Sequence, residues 1–212
     1  MGKVYLIITC CIDNKIGYIH PDRRKQEYFL GISNCLNLVR DKNIIPIIVE
    51  NSKESSSYLD VFNCDKVYTN DNEFIHREEY IEHKGSNELR DIKKVIEKYE
   101  INDDDMIIKF TGRYMLFQDD FFKCVLDNTD KECFQRTFNV CNYNQDVIDI
   151  VMGLFAIKAK YLKQFEYNSS TKGCEEEFKT FIIDNIKKDD IMEIEKLYLR
   201  VILGDMNKVV DV

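Results

Sequence analysis

A chain of 212 residues suits one domain with a core of its own. Its net charge of -8, with basic residues dispersed among more numerous acids, argues against nucleic acid as a partner, because a nucleic-acid surface carries a basic footprint. An apolar fraction of 44%, in clusters that recur along the chain but are too short to cross a bilayer, argues against both wholesale disorder and a membrane span.

Val4-Tyr5-Leu6-Ile7-Ile8 is continuously apolar. It reads as a strand buried on both faces, the mark of a parallel sheet. A polar loop over residues 13–22 follows. Then Tyr28, Ile32, Cys35, Leu36 and Val39 recur at helical spacing, which predicts a helix over residues 24–40. Ile44-Ile45-Pro46-Ile47-Ile48-Val49 is the second strand, with Pro46 near its start, where no ladder donor is needed. A short helix is expected over residues 55–62. Lys66-Val67-Tyr68 is the third strand and ends in Thr69-Asn70-Asp71-Asn72. Residues 73–84 are highly charged and read as a surface segment. Leu89, Ile92, Val95, Ile96 and Tyr99 mark one face of a helix beginning near Ser86. Asp103-Asp104-Asp105 leads into the fourth strand, Met106-Ile107-Ile108-Lys109-Phe110.

Alternating strands and helices at this pace imply right-handed crossovers and an α/β sheet. The later chain is more mixed. Phe134, Arg136, Phe138 and Val140 share one face of an expected strand, and residues 151–157 form another. Helices are expected over residues 158–165 and 175–186. Leu197, Leu199, Val201 and Leu203 alternate as a last strand. The fold class is therefore α/β, a mixed, mainly parallel central sheet flanked by helices. We expect a single domain of two halves, residues 1–115 and residues 116–212.

In open α/β sheets, ligands bind beyond the carboxyl ends of the strands. Thr9, Cys11 and Asn51 follow the first two strands and are candidate binding residues. Lys84-Gly85-Ser86-Asn87 has a cation, a glycine and capping residues before an expected helix, a pattern suited to an anion. Lys84, Gly85 and Asn87 are candidates for that reason. Lys109-Phe110-Thr111-Gly112-Arg113-Tyr114 is the most informative stretch. Lys109 is a cation within a strand, Thr111 follows it, and Gly112 allows close backbone approach. Arg113 offers a donor fork for phosphate, and Tyr114 a face for a base or sugar.

The segment from Lys84 to Tyr114 resembles the central segment of GT-A-fold glycosyltransferases, and Lys-Phe-Thr-Gly-Arg-Tyr is similar to a form found in small glycosyltransferase-like domains of large algal and amoebal DNA viruses. The resemblance implies a nucleotide-sugar donor, a UDP-sugar first, and a glycan or glycoprotein acceptor. It also implies a manganese or magnesium ion held by Asp-x-Asp. Thr111-Gly112-Arg113 stands in that place, so a cation such as Arg113 would take over part of the metal's work. Asp71, Asp103, Asp104 and Asp105 are the alternative metal ligands, although the last three precede the strand and so fall at the wrong end of the sheet. The resemblance also places a carboxylate near the acceptor. Glu175 and Glu176, with Glu177, open an expected helix, Asp149 precedes a strand, and Asp146 is a third choice. An inverting transferase needs such a base.

Eight scattered cysteines without a CxxC pair imply free thiols, no zinc site and a reducing, cytoplasmic compartment. His20, His76 and His83 stand isolated, and neither a P-loop nor a Rossmann fingerprint follows the first strand. Two rivals to a glycosyltransferase remain. One is a non-catalytic nucleotide- or glycan-binding module, and the other is a nucleotidyltransferase. Further domains of a longer enzyme are also compatible with the size of the chain.

Overall fold

The structure is a computed structural model that describes residues 2–13, 20–70, 77–140, 149–167, 173–203 and 208–212, the side chains of residues 77–86 excepted. Strands β1 (Val4–Cys10), β2 (Ile45–Glu50), β3 (Asp65–Tyr68) and β4 (Met106–Thr111) are mutually parallel. They are joined by helix α1 (Pro21–Val39) between β1 and β2, and by α2 (Arg77–Lys98) between β3 and β4. After β4 come β5 (Met115–Leu116), α3 (Asp120–Asp127), β6 (Cys133–Gln135) and β7 (Leu154–Lys158). Then follow α4 (Ala159–Gln164), α5 (Cys174–Asn185), β8 (Ile191–Glu193), β9 (Leu199–Leu203) and β10 (Lys208–Asp211).

The main sheet has seven strands in the order β3-β2-β1-β4-β7-β6-β8, and β7 alone runs against the rest. Reversing one strand places the start of β7 beside the end of β4, so both halves of the chain meet at the same sheet edge. A second sheet, β10-β9-β5, is antiparallel.

Every residue of β1 is buried, as its unbroken apolar run requires. Alternate residues serve opposite faces. Val4, Leu6, Ile8 and Cys10 pack against Tyr28, Ile32, Cys35 and Val39 of α1. Tyr5 and Ile7 pack on the other face with Leu89, Ile92, Val95 and Ile96 of α2 and with Phe178 and Ile182 of α5. Pro46 is the second residue of β2, and β3 pairs with that strand only from Ile47 onward, so no donor is missed there.

The mixed, mainly parallel sheet matches the expectation from sequence, but several boundaries do not. The helix expected from Ser86 begins nine residues earlier at Arg77, inside what reads as a charged surface segment. Gly85 is thus interior to α2, and no helix N-terminus lies at Ser86. The anion-site argument for Lys84 and Gly85 loses that basis. The strand expected through Val140 shortens to Cys133–Gln135. The helix near residue 58 is a single 3-10 turn, Tyr58–Val61, opened by Ser57, whose hydroxyl accepts from the Leu59 amide. Helix α3 and strands β5, β8 and β10 have no counterpart in the sequence reading. Asp71, Asn72, His76, Cys141 and Asp146 lie outside the described residues, as do the side chains of His83, Lys84 and Ser86. No described helix is long and apolar enough to cross a membrane.

Candidate functional site

A cleft of about 100 Å³ opens at the carboxyl ends of β1, β2 and β4. Thr9, Cys11, Asn51, Asn87, Thr111 and Arg113, all singled out from sequence, line it together. Cys10, Arg24, Tyr28, Glu88 and Asp91 complete the walls.

Lys109, also singled out from sequence as a binding residue, is absent from the cleft lining. Its side chain is 1% exposed, and its ammonium has three partners: the Thr111 hydroxyl at 2.7 Å, the Met152 carbonyl at 2.6 Å and the Glu88 carboxylate at 2.8 Å. An ammonium has three protons, so this lysine is fully engaged. It ties β4 to the turn before β7 and to α2. Thr9 donates to the same Glu88 oxygen at 2.6 Å. Glu88 Oε1 therefore receives both a buried cation and a hydroxyl, which hold the carboxylate in place.

The Thr111-Gly112-Arg113-Tyr114 turn is fixed by its backbone. The Gly112 amide donates to the Thr9 carbonyl at 3.0 Å, and Thr111 donates to Gly153 at 2.9 Å. A Cβ on Gly112 would meet the Cys10 sulfur at 3.0 Å and Ile8 at 3.1 Å, so a larger residue would have to push β1 side chains aside by a few tenths of an ångström. The Tyr114 ring lies against Gly153, where any Cβ would stand 2.3 Å from it. The ring thus packs on the start of β7, and Tyr114 is absent from the cleft lining.

One wall is built by α1. Tyr28 Oη accepts from the Cys11 amide at 2.7 Å and from Arg24 at 3.3 Å, while Arg24 Nε donates to the Cys11 carbonyl at 2.7 Å. Arg113 is 9% exposed, and its guanidinium meets Glu27 of α1 at 3.4 Å. Burial pushes the Tyr28 hydroxyl well above its ordinary pKa, against the pull of both arginines. Burial likewise lifts the Cys11 thiol to about 11, so it stays a neutral thiol near pH 7.

Two carboxylates near the ends of β2 and β3 are held by protein donors. Glu50 accepts from the amides of Ile12 and Ser52 at 3.0 and 3.1 Å and from the Ser52 hydroxyl. Burial still raises its pKa. Asp91 accepts from Thr69 at 2.6 Å and from Asn51 Nδ2 at 2.8 Å. Because a carboxylate only accepts, Asn51 must turn its NH2 toward Asp91. Its Oδ1 then points elsewhere, buried and with no hydrogen-bond partner, on a residue 8% exposed. A buried acceptor left unpaired costs about 1–3 kcal/mol.

No family model matches this chain, and no curated protein matches it. Solved structures do. A protein of Desulfovibrio desulfuricans G20 described as a nucleotide-diphospho-sugar transferase superposes with a TM-score of 0.55 at 6% identity, over 92% of this chain and 80% of that one. A Bacillus anthracis protein described as a glucose-1-phosphate thymidylyltransferase gives 0.51 at 9%, over 93% and 88%. The fold is GT-A-like.

In this GT-A-like frame the three candidate catalytic acids gather in one neighbourhood. Asp149 is held at a pKa of about 6, by burial first and then by the charges of Glu175 and Glu176. Its Oδ1 is buried without a hydrogen-bond partner. Glu175 and Glu176 sit in the first turn of α5, where the helix dipole favours acids. Cys174, at the head of that helix, shares a small pocket with Glu88, which also lines the cleft.

The divalent ion implied by a GT-A-like fold meets a poor donor set here. At the end of β4 stand a hydroxyl, a glycine and a guanidinium. The cleft carboxylates Glu88 and Asp91 are each engaged by protein donors, as is the buried Glu50 at the end of β2. No group of three or more His, Cys, Asp and Glu side chains among the described residues is arranged to hold a metal. Asp103 pairs with Lys163 at 2.5 Å, and Asp105 accepts from the Lys3 amide at 2.7 Å, both at the amino end of β4, away from the cleft.

Arg24, Tyr28 and Asp91 were missed in the sequence. Arg24 and Tyr28 stand four apart in the first turns of the helix after β1, a spacing that aims both at the strand end. Asn87 and Asp91 are likewise four apart on α2, polar positions beside its apolar stripe.

Proposed function

We propose that this chain is a glycosyltransferase that takes a sugar from a UDP-sugar and passes it to a hydroxyl of a glycan or glycoprotein acceptor. One observation carries the donor half of this reading: the cleft at the carboxyl ends of the strands gathers Thr9, Asn51, Thr111 and Arg113, the last a guanidinium whose fork suits a phosphate. The GT-A-like fold supports the same reading, since a protein described as a nucleotide-diphospho-sugar transferase shares it.

In the reaction, the acceptor hydroxyl attacks the anomeric carbon. The bond from that carbon to the diphosphate oxygen breaks, and UDP leaves with the electron pair. The Asp149 carboxylate takes the hydroxyl proton. A base works best with a pKa near the working pH, and burial beside Glu175 and Glu176 brings this carboxyl to about 6.

Nucleotidyl transfer is the second reading, because a protein described as a thymidylyltransferase shares the fold. It would use a nucleoside triphosphate and a sugar phosphate. A thermal-shift screen of UDP-, GDP- and CMP-sugars beside UTP, CTP and dTTP, with and without manganese, separates the readings. UDP-sugars are expected to raise the melting temperature, because ligand at a hundred times its Kd adds about 2.7 kcal/mol. Preference for a triphosphate favours nucleotidyl transfer. Binding of a UDP-sugar without release of UDP to any acceptor points to a non-catalytic module. No shift with any nucleotide at millimolar concentration removes the donor-site assignment.

A further inference from the structure

The two threonines of the cleft differ in what they can still give a ligand. An ammonium donates and never accepts, so the 2.7 Å contact between Lys109 Nζ and Thr111 Oγ1 uses a lone pair of the threonine oxygen. The hydroxyl proton is left over, and among the described residues no acceptor takes it. Thr9 is the reverse case: it gives its proton to Glu88 at 2.6 Å and is 4% exposed. Thr111 is half-buried and lines the cleft. We propose that the Thr111 hydroxyl donates its proton to a phosphate oxygen of the donor nucleotide, and that Lys109 acts beneath it as a positioning residue that never touches the ligand.

Three features support this. First, Lys109 cannot serve the ligand itself, because all three of its protons are spent on Glu88, Met152 and Thr111 and its side chain is 1% exposed. Second, the threonine is held in place. Its amide donates to the Gly153 carbonyl at 2.9 Å, its carbonyl accepts from the Tyr114 amide at 3.0 Å, and its side-chain oxygen is pinned by the ammonium. Third, an oxygen that accepts from a cation becomes a better donor, since successive hydrogen bonds polarise one another. The acceptor that gains most is an anion, because a bond from a hydroxyl to a charged oxygen is about twice as strong as a neutral one. Glu88 also lines the cleft, but its charge is met by Lys109 at 2.8 Å, so a phosphate beside Thr111 does not face a bare carboxylate. Arg113, two residues on, lines the same cleft and adds a donor fork.

The proposal rests on the donor-site reading, and the test keeps the two apart. The whole chain and its variants are titrated with UDP in a calorimeter. Thr111→Ser keeps the hydroxyl and is expected to bind UDP within about threefold of the parent. Thr111→Cys keeps the volume but offers only a weak donor, and is expected to bind about tenfold or more weakly. Inorganic pyrophosphate is expected to displace UDP from the parent, with an inhibition constant about tenfold higher against Thr111→Cys. Lys109→Met with Glu88→Gln removes the ion pair without stranding a charge. In that background Thr111→Cys is expected to cost UDP no more than about threefold, because the hydroxyl is no longer pinned or polarised. An undiminished loss there overturns the role of Lys109. Equal UDP affinity in the parent and Thr111→Cys, or an equal loss in Thr111→Ser and Thr111→Cys, overturns the role of the hydroxyl and leaves the donor site standing. UDP binding that millimolar pyrophosphate does not touch overturns the phosphate contact. No UDP binding by the parent overturns the donor site and the proposal together. If Thr111→Cys fails to fold, Thr111→Ala carries the same comparison, and the pyrophosphate arm uses the unaltered chain.

Discussion

At the scale of single residues, the strongest commitment in the molecule is the burial of Lys109. A buried ammonium is tolerated only with its hydrogen-bonding capacity met, and here Glu88, Thr111 and Met152 meet it. Removing the counter-charge strands the cation. Glu88→Ala is expected to cost about 3–5 kcal/mol in urea denaturation. Adding Lys109→Met should restore part of that loss, because the stranded charge is then gone. Equal additive losses in the double-mutant cycle would refute the pairing. Asp149 is the opposite case, a carboxyl whose ionised form is disfavoured. Its native pKa, about 6, lies above that of the unfolded chain. Below about pH 4 both states hold the proton and nothing is lost. Between there and about 6 the unfolded chain ionises first, so the native state loses stability as pH rises, and above about 6 the loss is complete. Asp149→Asn should therefore melt higher than the parent at neutral pH and match it in acid. If Asp149 is the base, the parent's kcat/KM falls below about pH 6 and the variant lacks that limb. A melting advantage equal at both pH values would sink the shifted pKa.

At the scale of elements, the site depends on how closely α1 lies on the β4 turn. A Cβ on Gly31 would stand 2.4 Å from the Gly112 carbonyl and 2.5 Å from that of Tyr114, and neither backbone atom has a flexible end to move. Gly31→Ala should therefore cost about 1–3 kcal/mol as overpacking and should displace the turn that carries Arg113, weakening UDP. Leu30→Ala, its exposed neighbour, should do neither, as melting curves and titration will read. Strand and helix existence was legible in sequence wherever burial left an unbroken or periodic apolar pattern, as in β1, β2, β4 and the apolar face of α2. The start of α2 was not, because Gly85 and Ser86 are ordinary helix-opening punctuation. The cost of about 1 kcal/mol for an interior glycine is small enough for a helix to run through it. Strand β5 spans two residues and α3 eight, lengths at which periodicity carries little signal. The gathering of Thr9, Cys11, Asn51, Thr111 and Arg113 at one cleft was legible because strand ends announce themselves by polarity. The α1 wall was not, because Arg24 and Tyr28 reach the cleft only once the helix is laid back on β1.

At the scale of the whole molecule, the later chain closes the fold rather than following it. Strand β7 inserts between β4 and β6, and β9 returns to pair with β5, immediately after the Arg113 turn. Phe117 donates to the Tyr198 carbonyl at 2.9 Å, extending the same seam. The alternation of Leu197 to Leu203 showed a strand, but nothing local in it showed that its partner would be two residues beside the cleft. Leu199, Val201, Val210 and Val212 all lie in the α1-side core with Leu6, Ile8 and Phe110. Burying a Val or Leu side chain contributes roughly 1.5–3 kcal/mol, so these four residues together supply roughly 6–12 kcal/mol before entropy. Whole domains are stable by only about 5–15 kcal/mol. Truncation after Tyr198 should therefore remove most of the net stability. The expected product keeps some far-UV helix signal, loses a cooperative urea transition and no longer binds UDP, because the β5 support under Arg113 is gone. A milder variant separates packing from truncation: Val201→Ala should lower the urea midpoint while keeping the transition cooperative. A truncated chain that unfolds cooperatively at the parent's midpoint would show that the three-stranded sheet is an appendage, and the tie between the carboxyl-terminal hairpin and the cleft would fall with it.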